Sequence, residues 1–257
     1  MIERKRVVAV ALAAALVASA AHAGVPLWQR VLRWVSGETS DTPVQTHMMG
    51  KHMQMSVRQP PQPGDAERAE QIRATARRVL ETYRDVADAE AEGYKPFAPT
   101  GRIGEEVHYT HHWRAGNEKD RIDLERPGSI LYKRTAKGMQ AVGVMYTAPG
   151  NALPDELDKR VPLSVGVWHR HVHFCGWPSG TPRKDWDGPN ARFGFAGSIG
   201  DEATCKAAGG YWIPLALGWM THIYPNETER DKIWIGEQMM MLNSAEMEHG
   251  AHKQQKQ

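Results

Sequence analysis

The sequence has almost no excess of either charge, since 32 Lys and Arg residues face 30 Asp and Glu residues and leave a formal charge of +2. Proteins that bind nucleic acid through its phosphates usually carry a clear basic excess, so this balance argues against nucleic acid as a partner. The 41% share of hydrophobic residues excludes disorder of the whole chain. The sequence therefore indicates an ordinary globular protein with a sizeable core.

The usual signatures of hydrolases, nucleotide-binding enzymes and haem proteins are also absent. The sequence contains no HExxH helix, no GxSxG nucleophile elbow, no GxxxxGK phosphate loop and no CxxCH haem-attachment motif. No activity can therefore be assigned from a catalytic motif.

A long apolar run is missing as well, because the run from Val7 to about Ala18 is shorter than the roughly 20 residues that a membrane span needs. This run follows three basic residues and precedes the small-x-small pattern Ala21-His22-Ala23, which is typical of a secretory signal peptide. We therefore predict that residues 1–23 are a cleaved signal peptide. The mature chain would be periplasmic or secreted, with no stable membrane anchor.

Cysteine is scarce, with Cys175 and Cys205 as the two residues of this type. In an oxidising compartment two cysteines most simply form a disulfide, which here closes a loop of about 30 residues. The alternative is that Cys175 is a thiolate metal ligand and Cys205 a free thiol. We predict the disulfide.

Composition and periodicity divide the mature chain into a linker, one domain and a tail. Residues 24–64 are predicted to hold one short amphipathic helix and an extended linker rich in Met, His and Pro. Residues 65–235 are predicted to form a single domain, and residues 236–257 a C-terminal tail that contains Met and His. The domain opens with a strong helical pattern, from Asp65 as N-cap to a stop at Gly93.

The rest of the domain consists of short apolar runs separated by Gly and Pro, a texture typical of antiparallel strands and loops. Residues 129–134 and 139–147 flank a Gly-containing turn and predict a hairpin. Residues 161–175 and 219–224 are further strand candidates, and residues 202–208 predict a short helix. The expected fold class is α+β, with one antiparallel β-sheet or small β-barrel, a long N-terminal helix and Gly/Pro-rich loops.

Histidine, in contrast, is abundant, with 12 residues, and it alternates along the strand candidates. Residues 168–175 read WHRHVHFC, so a strand periodicity of two places three histidines and Cys175 on one face. The same alternation is present at residues 107–113 and 219–224. The candidate metal ligands of the domain are His108, His112, His169, His171, His173 and His222.

Histidines two positions apart on a strand lie about 7 Å apart at Cβ and can reach one ion together. The alternative is that they are polar residues on a solvated sheet face, or core histidines with hydrogen-bond partners. Three alternating histidines opposite an aromatic face favour a metal site, completed from a neighbouring strand. Glu105 and Glu106 are candidate carboxylate ligands or hydrogen-bond partners of the ligands.

A second cluster of candidate ligands lies in the linker, which reads HMMGKHMQM over residues 47–55. These candidates are His47, Met48, Met49, His52, Met53 and Met55. Thioether and imidazole ligands together favour copper over zinc, because the thioether is a soft ligand. Copper is therefore the expected cofactor, zinc and iron are alternatives, and a copper-handling protein is an expected partner.

Several short motifs together resemble a pattern in uncharacterised secreted bacterial proteins. They are His108-Tyr109, Arg126-Pro127 with Leu131-Tyr132, Gly143 with Tyr146, Trp168-His169-Arg170-His171 through Cys175, and Gly218-Trp219-Met220 with His222. The resemblance covers residues 93–225 or so and implies no established activity.

Three functions are compatible with these patterns. The first is an exported copper-binding protein, with a His site on strands and flexible Met/His arms that capture, store or hand over the ion. The second is a periplasmic metalloenzyme, a hydrolase or an oxidase/oxygenase, in which three of the histidines hold zinc, copper or iron and Glu106 is a general base. The third is a metal-free, disulfide-stabilised interaction module. The ligand types and the absence of catalytic motifs favour the first.

Overall fold

The computed structural model describes residues 44–97, 102–118, 121–186, 188 and 190–236. The predicted signal peptide, the amphipathic helix before residue 37 and the C-terminal tail after residue 236 lie outside these ranges. None of the helices in the described ranges is long and apolar enough to cross a membrane.

One antiparallel sheet of nine strands organises the described chain. The strands are β1 Thr46–Met49, β2 Met53–Ser56, β3 Lys95–Pro96, β4 Glu106–Thr110, β5 Ser129–Thr135, β6 Gly138–Ala148, β7 His169–Gly176, β8 Tyr211–Leu215 and β9 Trp219–Ile223. Eight of them lie in the order β1-β2-β7-β9-β6-β5-β4-β3, and β8 pairs with β7 beside this path. The sheet is open at β1 and β3, so the antiparallel sheet is confirmed and the barrel alternative is wrong.

Six α-helices accompany the sheet in the part of the chain that the structure describes. They are α1 Asp65–Thr82, α2 Val86–Ala91, α3 His112–Asn117, α4 Pro154–Arg160, α5 Glu202–Ala207 and α6 Arg230–Trp234. A single 3₁₀ turn covers Arg183–Asp185. The predicted short helix at residues 202–208 is confirmed as α5, and its N-cap carboxylate on Asp201 accepts a hydrogen bond from the Thr204 amide.

Helix α1 is shorter than the helical pattern predicts. Its N-cap is Gly64, in the left-handed region with a φ of 88°, so Asp65 is the first helical residue and not the cap. The helix does not continue to Gly93, because the chain restarts as α2 with Asp85 as a new N-cap, whose carboxylate accepts from the Ala87 amide.

The main core lies between α1 and one face of the sheet. Ile72, Ala76 and Val79 of α1 are buried there. The sheet contributes alternate residues of three neighbouring strands: Val107 and Tyr109, Ile130 and Tyr132, and Val144 and Tyr146. Since side chains alternate along a strand, the residues between these point to the opposite face.

Residues 46–56 form a β-hairpin, so the predicted extended linker is wrong for this segment. Strands β1 and β2 pair with each other, and β2 continues onto β7 through Met53 opposite His171 and Met55 opposite His169. Met49 and Met55 are buried in a small apolar cluster with Val167. The sequence around these methionines is polar and does not indicate their burial, because their packing partners come from a distant strand.

Two other predictions are settled by the structure. The β5–β6 hairpin has the predicted position, whereas the long strand candidate at 161–175 is a strand only from His169 onward. The disulfide between Cys175 and Cys205 is formed and links the end of β7 to α5. Cys175 is therefore not a thiolate ligand.

Candidate metal centre

The sheet face opposite the main core is concave and carries the histidines. Strands β4 and β9 are separated by β5 and β6, so a flat sheet would hold them about 14 Å apart at roughly 4.8 Å per strand. The ring centroids of His108 on β4 and His222 on β9 are only 5.1 Å apart. The sheet therefore curls around this face, and its side chains converge.

Gly143 allows this close approach. It lies on β6 opposite Leu131, which in turn pairs with His108 on β4. A Cβ at position 143 would lie 2.9 Å from the carbonyl oxygen of Ile223 and 2.9 Å from Cδ1 of Tyr224. Any side chain here would push the end of β9 away from the concave face.

Glu106, His108 and His222 form the donor cluster of this face. One potential ligand atom from each lies within 4.8 Å of the other two, and His108 Nε2 is 3.5 Å from Glu106 Oε1. Ligand atoms bound about 2.0–2.2 Å from one ion lie roughly 3–4 Å from each other. Small side-chain movements would therefore bring all three atoms to coordination distance.

One ring nitrogen of His222 lacks a partner. Nε2 of His222 is buried and makes no hydrogen bond to any residue that the structure describes. A buried polar atom without a partner costs about 1–3 kcal/mol, and a metal ion at this position would remove that cost. The cluster thus fits a bound metal in geometry and in chemistry.

Two more histidines on β7 extend the cluster. The ring of His169 lies 4.9 Å from that of His222 and 5.7 Å from that of His171. Burial, aided by the neighbouring histidines, lowers the pKa of His169 to about 3 and that of His171 to about 4. Burial also holds the pKa of His222 well below its ordinary value. These imidazoles are therefore neutral at pH 7, which is the form that binds metals.

Tyr224 connects the carboxylate to the histidines. Its hydroxyl donates a hydrogen bond to Oε1 of Glu106 at 3.1 Å and lies 3.5 Å from Nδ1 of His222. Burial and the nearby Glu106 raise the pKa of Tyr224 well above its ordinary value, so the phenol keeps its proton. The hydroxyl therefore holds the Glu106 carboxylate in place beside His108.

A cavity of about 820 Å³ opens next to the donor cluster. The polar residues that line it include Glu106, His108, His169, His171 and His222. Three thioethers line it as well, from Met53, Met145 and Met220. Met145 pairs with His222, and Met220 with His169, in the sheet register. The cavity therefore offers imidazole, carboxylate and thioether groups in one space.

Glu118 holds Thr147, which lines this cavity, and no motif in the sequence singled Glu118 out. Its carboxylate accepts from the Gly128 amide at 2.8 Å and from the amide and hydroxyl of Thr147 at 2.6 and 2.7 Å. Burial raises the pKa of Glu118 to about 7. Because both oxygens are occupied, Glu118 links the end of α3 to β6 and is not available as a ligand.

The structure divides the predicted ligands of the domain into two groups. The group at the concave face contains His108, His169, His171 and His222. His112 lines the cavity, but β4 ends at Thr110 and His112 begins α3, so the predicted strand face shared with His108 is wrong. His173 is exposed, has a φ of 56° and stacks on Trp212 with centroids 6.0 Å apart. This left-handed backbone ends the alternation, so its predicted place beside His171 is wrong.

The predicted ligands of the linker do not gather around one point. His47 and Met48 are exposed, Met49 and Met55 are buried in the apolar cluster, and Met53 lines the cavity. The ring nitrogens of His52 lie 2.8 and 2.6 Å from the carbonyl oxygens of His173 and Gly197, so hydrogen bonds occupy this imidazole. The segment is a folded hairpin, and the predicted flexible arm is wrong.

No protein-family model, curated protein or solved structure matches the chain. The motif resemblance therefore adds no activity to the description of the site. Inference about function rests on the donor atoms and on the cavity beside them.

Proposed function

We propose that the protein binds one transition-metal ion at the concave face of the sheet, with Glu106, His108 and His222 as ligands and His169 as a neighbouring fourth donor. The observation that carries the proposal is the grouping of one donor atom from each of these three residues within 4.8 Å, together with the buried and unpartnered Nε2 of the same His222. Solvated surface histidines would not explain this burial and convergence.

We further propose copper as the ion. Imidazole and carboxylate ligands suit zinc, iron and copper, so these groups alone do not select among them. The thioethers of Met145 and Met220 line the same cavity and pair in register with His222 and His169. A soft sulfur ligand favours copper, above all Cu(I).

In this proposal the protein captures, stores or hands over copper outside the cytoplasm. The predicted signal peptide supports the location, and the disulfide between Cys175 and Cys205 is compatible with an oxidising compartment. A copper-handling protein would be the partner that delivers or receives the ion.

A metalloenzyme is the second candidate, and the cavity favours it. Catalytic metal sites combine three protein ligands with an open position that faces the substrate. Here three donor residues border a space of about 820 Å³, whereas storage of an ion requires no such volume. Glu106 would then be a ligand held by Tyr224, and not the general base that its sequence position suggests.

Metal analysis of the purified full chain tests the binding proposal. We expect one copper per chain after the metal-free protein is mixed with equimolar copper, zinc and iron and then gel-filtered. His108→Ala and His222→Ala should lose binding, while His47→Ala, which removes an exposed histidine of β1, should bind as the wild type does. A wild type that retains no ion, or a His222→Ala variant with unchanged binding, contradicts the proposal. Retention of zinc in place of copper would overturn the choice of ion.

Azide binding separates the two candidate functions. If the coordination shell of the Cu(II) protein has an open position, azide adds a charge-transfer absorption band. An unchanged spectrum at saturating azide indicates a closed shell and argues against the metalloenzyme.

A further inference from the structure

The entrance of the cavity is formed by exposed apolar side chains. Phe97, Phe195, Leu215 and Leu217 line it, and each is between 40% and 51% exposed. Large apolar side chains that cluster in a concave surface usually mark a binding site, because their exposure to water is unfavourable. This entrance therefore favours a ligand with an apolar body.

Formal charge in the cavity comes from two acids. Glu105 and Glu106 line it, and no Lys or Arg is present among the described lining residues. A carboxylate or phosphate ligand would thus meet two acids and no Lys or Arg side chain to pair with, which argues against an anionic ligand.

The interior surface of the cavity suits an apolar ligand. Met53, Met145 and Met220 supply flexible thioethers that adapt to apolar ligands. The ring of Phe195 lies 4.8 Å from that of His171 and 4.5 Å from that of Phe174, so an aromatic surface continues from the entrance to the donor cluster. The volume of about 820 Å³ lies within the range of small-molecule sites.

We propose that the cavity binds an uncharged organic molecule, with an aromatic or aliphatic body against Phe195 and Leu217 and one nitrogen or oxygen donor directed to the metal. The part of this inference that directs a donor atom to the metal rests on the proposed metal function. The part that concerns the apolar body rests on the cavity alone and holds for the metal-free protein.

Methionine-methyl NMR of the full chain tests the inference with 4-phenylimidazole and imidazole as probes, at about pH 8, where both are uncharged. In the metal-free protein, 4-phenylimidazole should shift the signals of Met145 and Met220 and bind about tenfold or more tightly than imidazole, because its phenyl group is buried. Benzoate should bind at least about tenfold more weakly than 4-phenylimidazole. Copper should tighten the binding of both imidazoles.

A matched pair of variants locates the binding. Leu217→Ala removes an apolar side chain at the entrance and should reduce the advantage of 4-phenylimidazole. Ile103→Ala removes a side chain of the same composition that is 70% exposed and does not line the cavity, so it should preserve the advantage.

Two results overturn the inference: equal affinities for imidazole and 4-phenylimidazole, or benzoate that binds as tightly as the phenyl probe. If copper binds while the phenyl probe fails, the metal function stands and the ligand class is wrong. If the metal-free protein prefers 4-phenylimidazole but retains no copper, the apolar ligand is upheld and the metal function is wrong.

Discussion

Acidification of the metal-free protein should remove a large part of its folding stability, because three buried histidines are neutral in the folded state. Burial lowers the pKa of His169 to about 3 and of His171 to about 4, and it holds the pKa of His222 well below its ordinary value. In the unfolded chain each imidazole regains a pKa of 6.5. The unfolded state therefore binds more protons, and stability is lost as the pH falls from 6.5 toward the folded-state values.

The size of this loss follows from proton linkage. A histidine that stays neutral in the folded state loses about 1.6 kcal/mol of stability between about pH 6.5 and pH 5. Three such histidines give a loss of about 5 kcal/mol. Protonation of Glu118 opposes it, because burial raises the folded-state pKa of this carboxyl to about 7, and it returns about 1.7 kcal/mol over the same pH range. The protein should therefore lose about 3 kcal/mol by about pH 5, a substantial part of the roughly 5–15 kcal/mol of a typical protein.

Urea unfolding followed by tryptophan fluorescence measures this loss on chelator-treated protein at a series of pH values. His171→Gln removes one of the three titrating histidines and should reduce the loss by about 1.6 kcal/mol. His47→Gln makes the same substitution at an exposed position and should reproduce the wild-type curve. A free energy of unfolding that is the same at about pH 6.5 and pH 5 would refute the reasoning, since these imidazoles would then not be buried together as neutral groups.

Three further variants test separate parts of the structure. Gly143→Ala places a Cβ 2.9 Å from a backbone carbonyl oxygen of β9 and should lower the free energy of unfolding in urea by about 1–3 kcal/mol; an unchanged value would show that the close approach is absent. Tyr224→Phe removes the hydrogen bond to Glu106 and should weaken copper binding in calorimetric titration by about 10–100-fold. Wild-type affinity in this variant would show that Tyr224 does not hold the carboxylate. Replacement of both Cys175 and Cys205 by Ala should destabilise the chain to urea by about 3.6 kcal/mol, as expected for a loop of 30 residues, and a loss below about 1 kcal/mol is incompatible with that estimate.

The period-two pattern predicted much of the site because each strand involved has one face in the core. On β4, Val107 and Tyr109 are buried in the main core, so Glu106 and His108 face the cavity. On β9, Trp219 and Ile223 are buried in the same core, so Met220 and His222 face the cavity. Sequence alternation is therefore a good guide wherever the backbone remains a regular strand.

The pattern failed where the backbone leaves the strand conformation. His112 begins a helix, and His173 has a positive φ, which is uncommon for a residue other than Gly. Neither departure has a clear local signal, because no Gly or Pro marks it in the sequence.

Contacts between distant segments were the other part that the sequence could not provide. The hydrogen bond from Tyr224 to Glu106 joins residues 118 positions apart, and the hairpin that buries Met49 and Met55 pairs with a strand more than 100 positions later. Strand order and sheet curvature determine these contacts, and neither is encoded in local periodicity. Met145, by contrast, alternates with the buried Val144 and Tyr146, so its position on the cavity face had a signal in the sequence.

The location of the bound ion is the most direct test of the central claim. Anomalous X-ray diffraction at the copper edge, from crystals of the copper-loaded full chain, gives this position. We predict one strong peak per chain, about 2.0–2.3 Å from a carboxylate oxygen of Glu106 and from imidazole nitrogens of His108 and His222. A peak at His47 and Met48 on the surface of the hairpin, or no peak at the concave face of a fully loaded protein, would contradict the account.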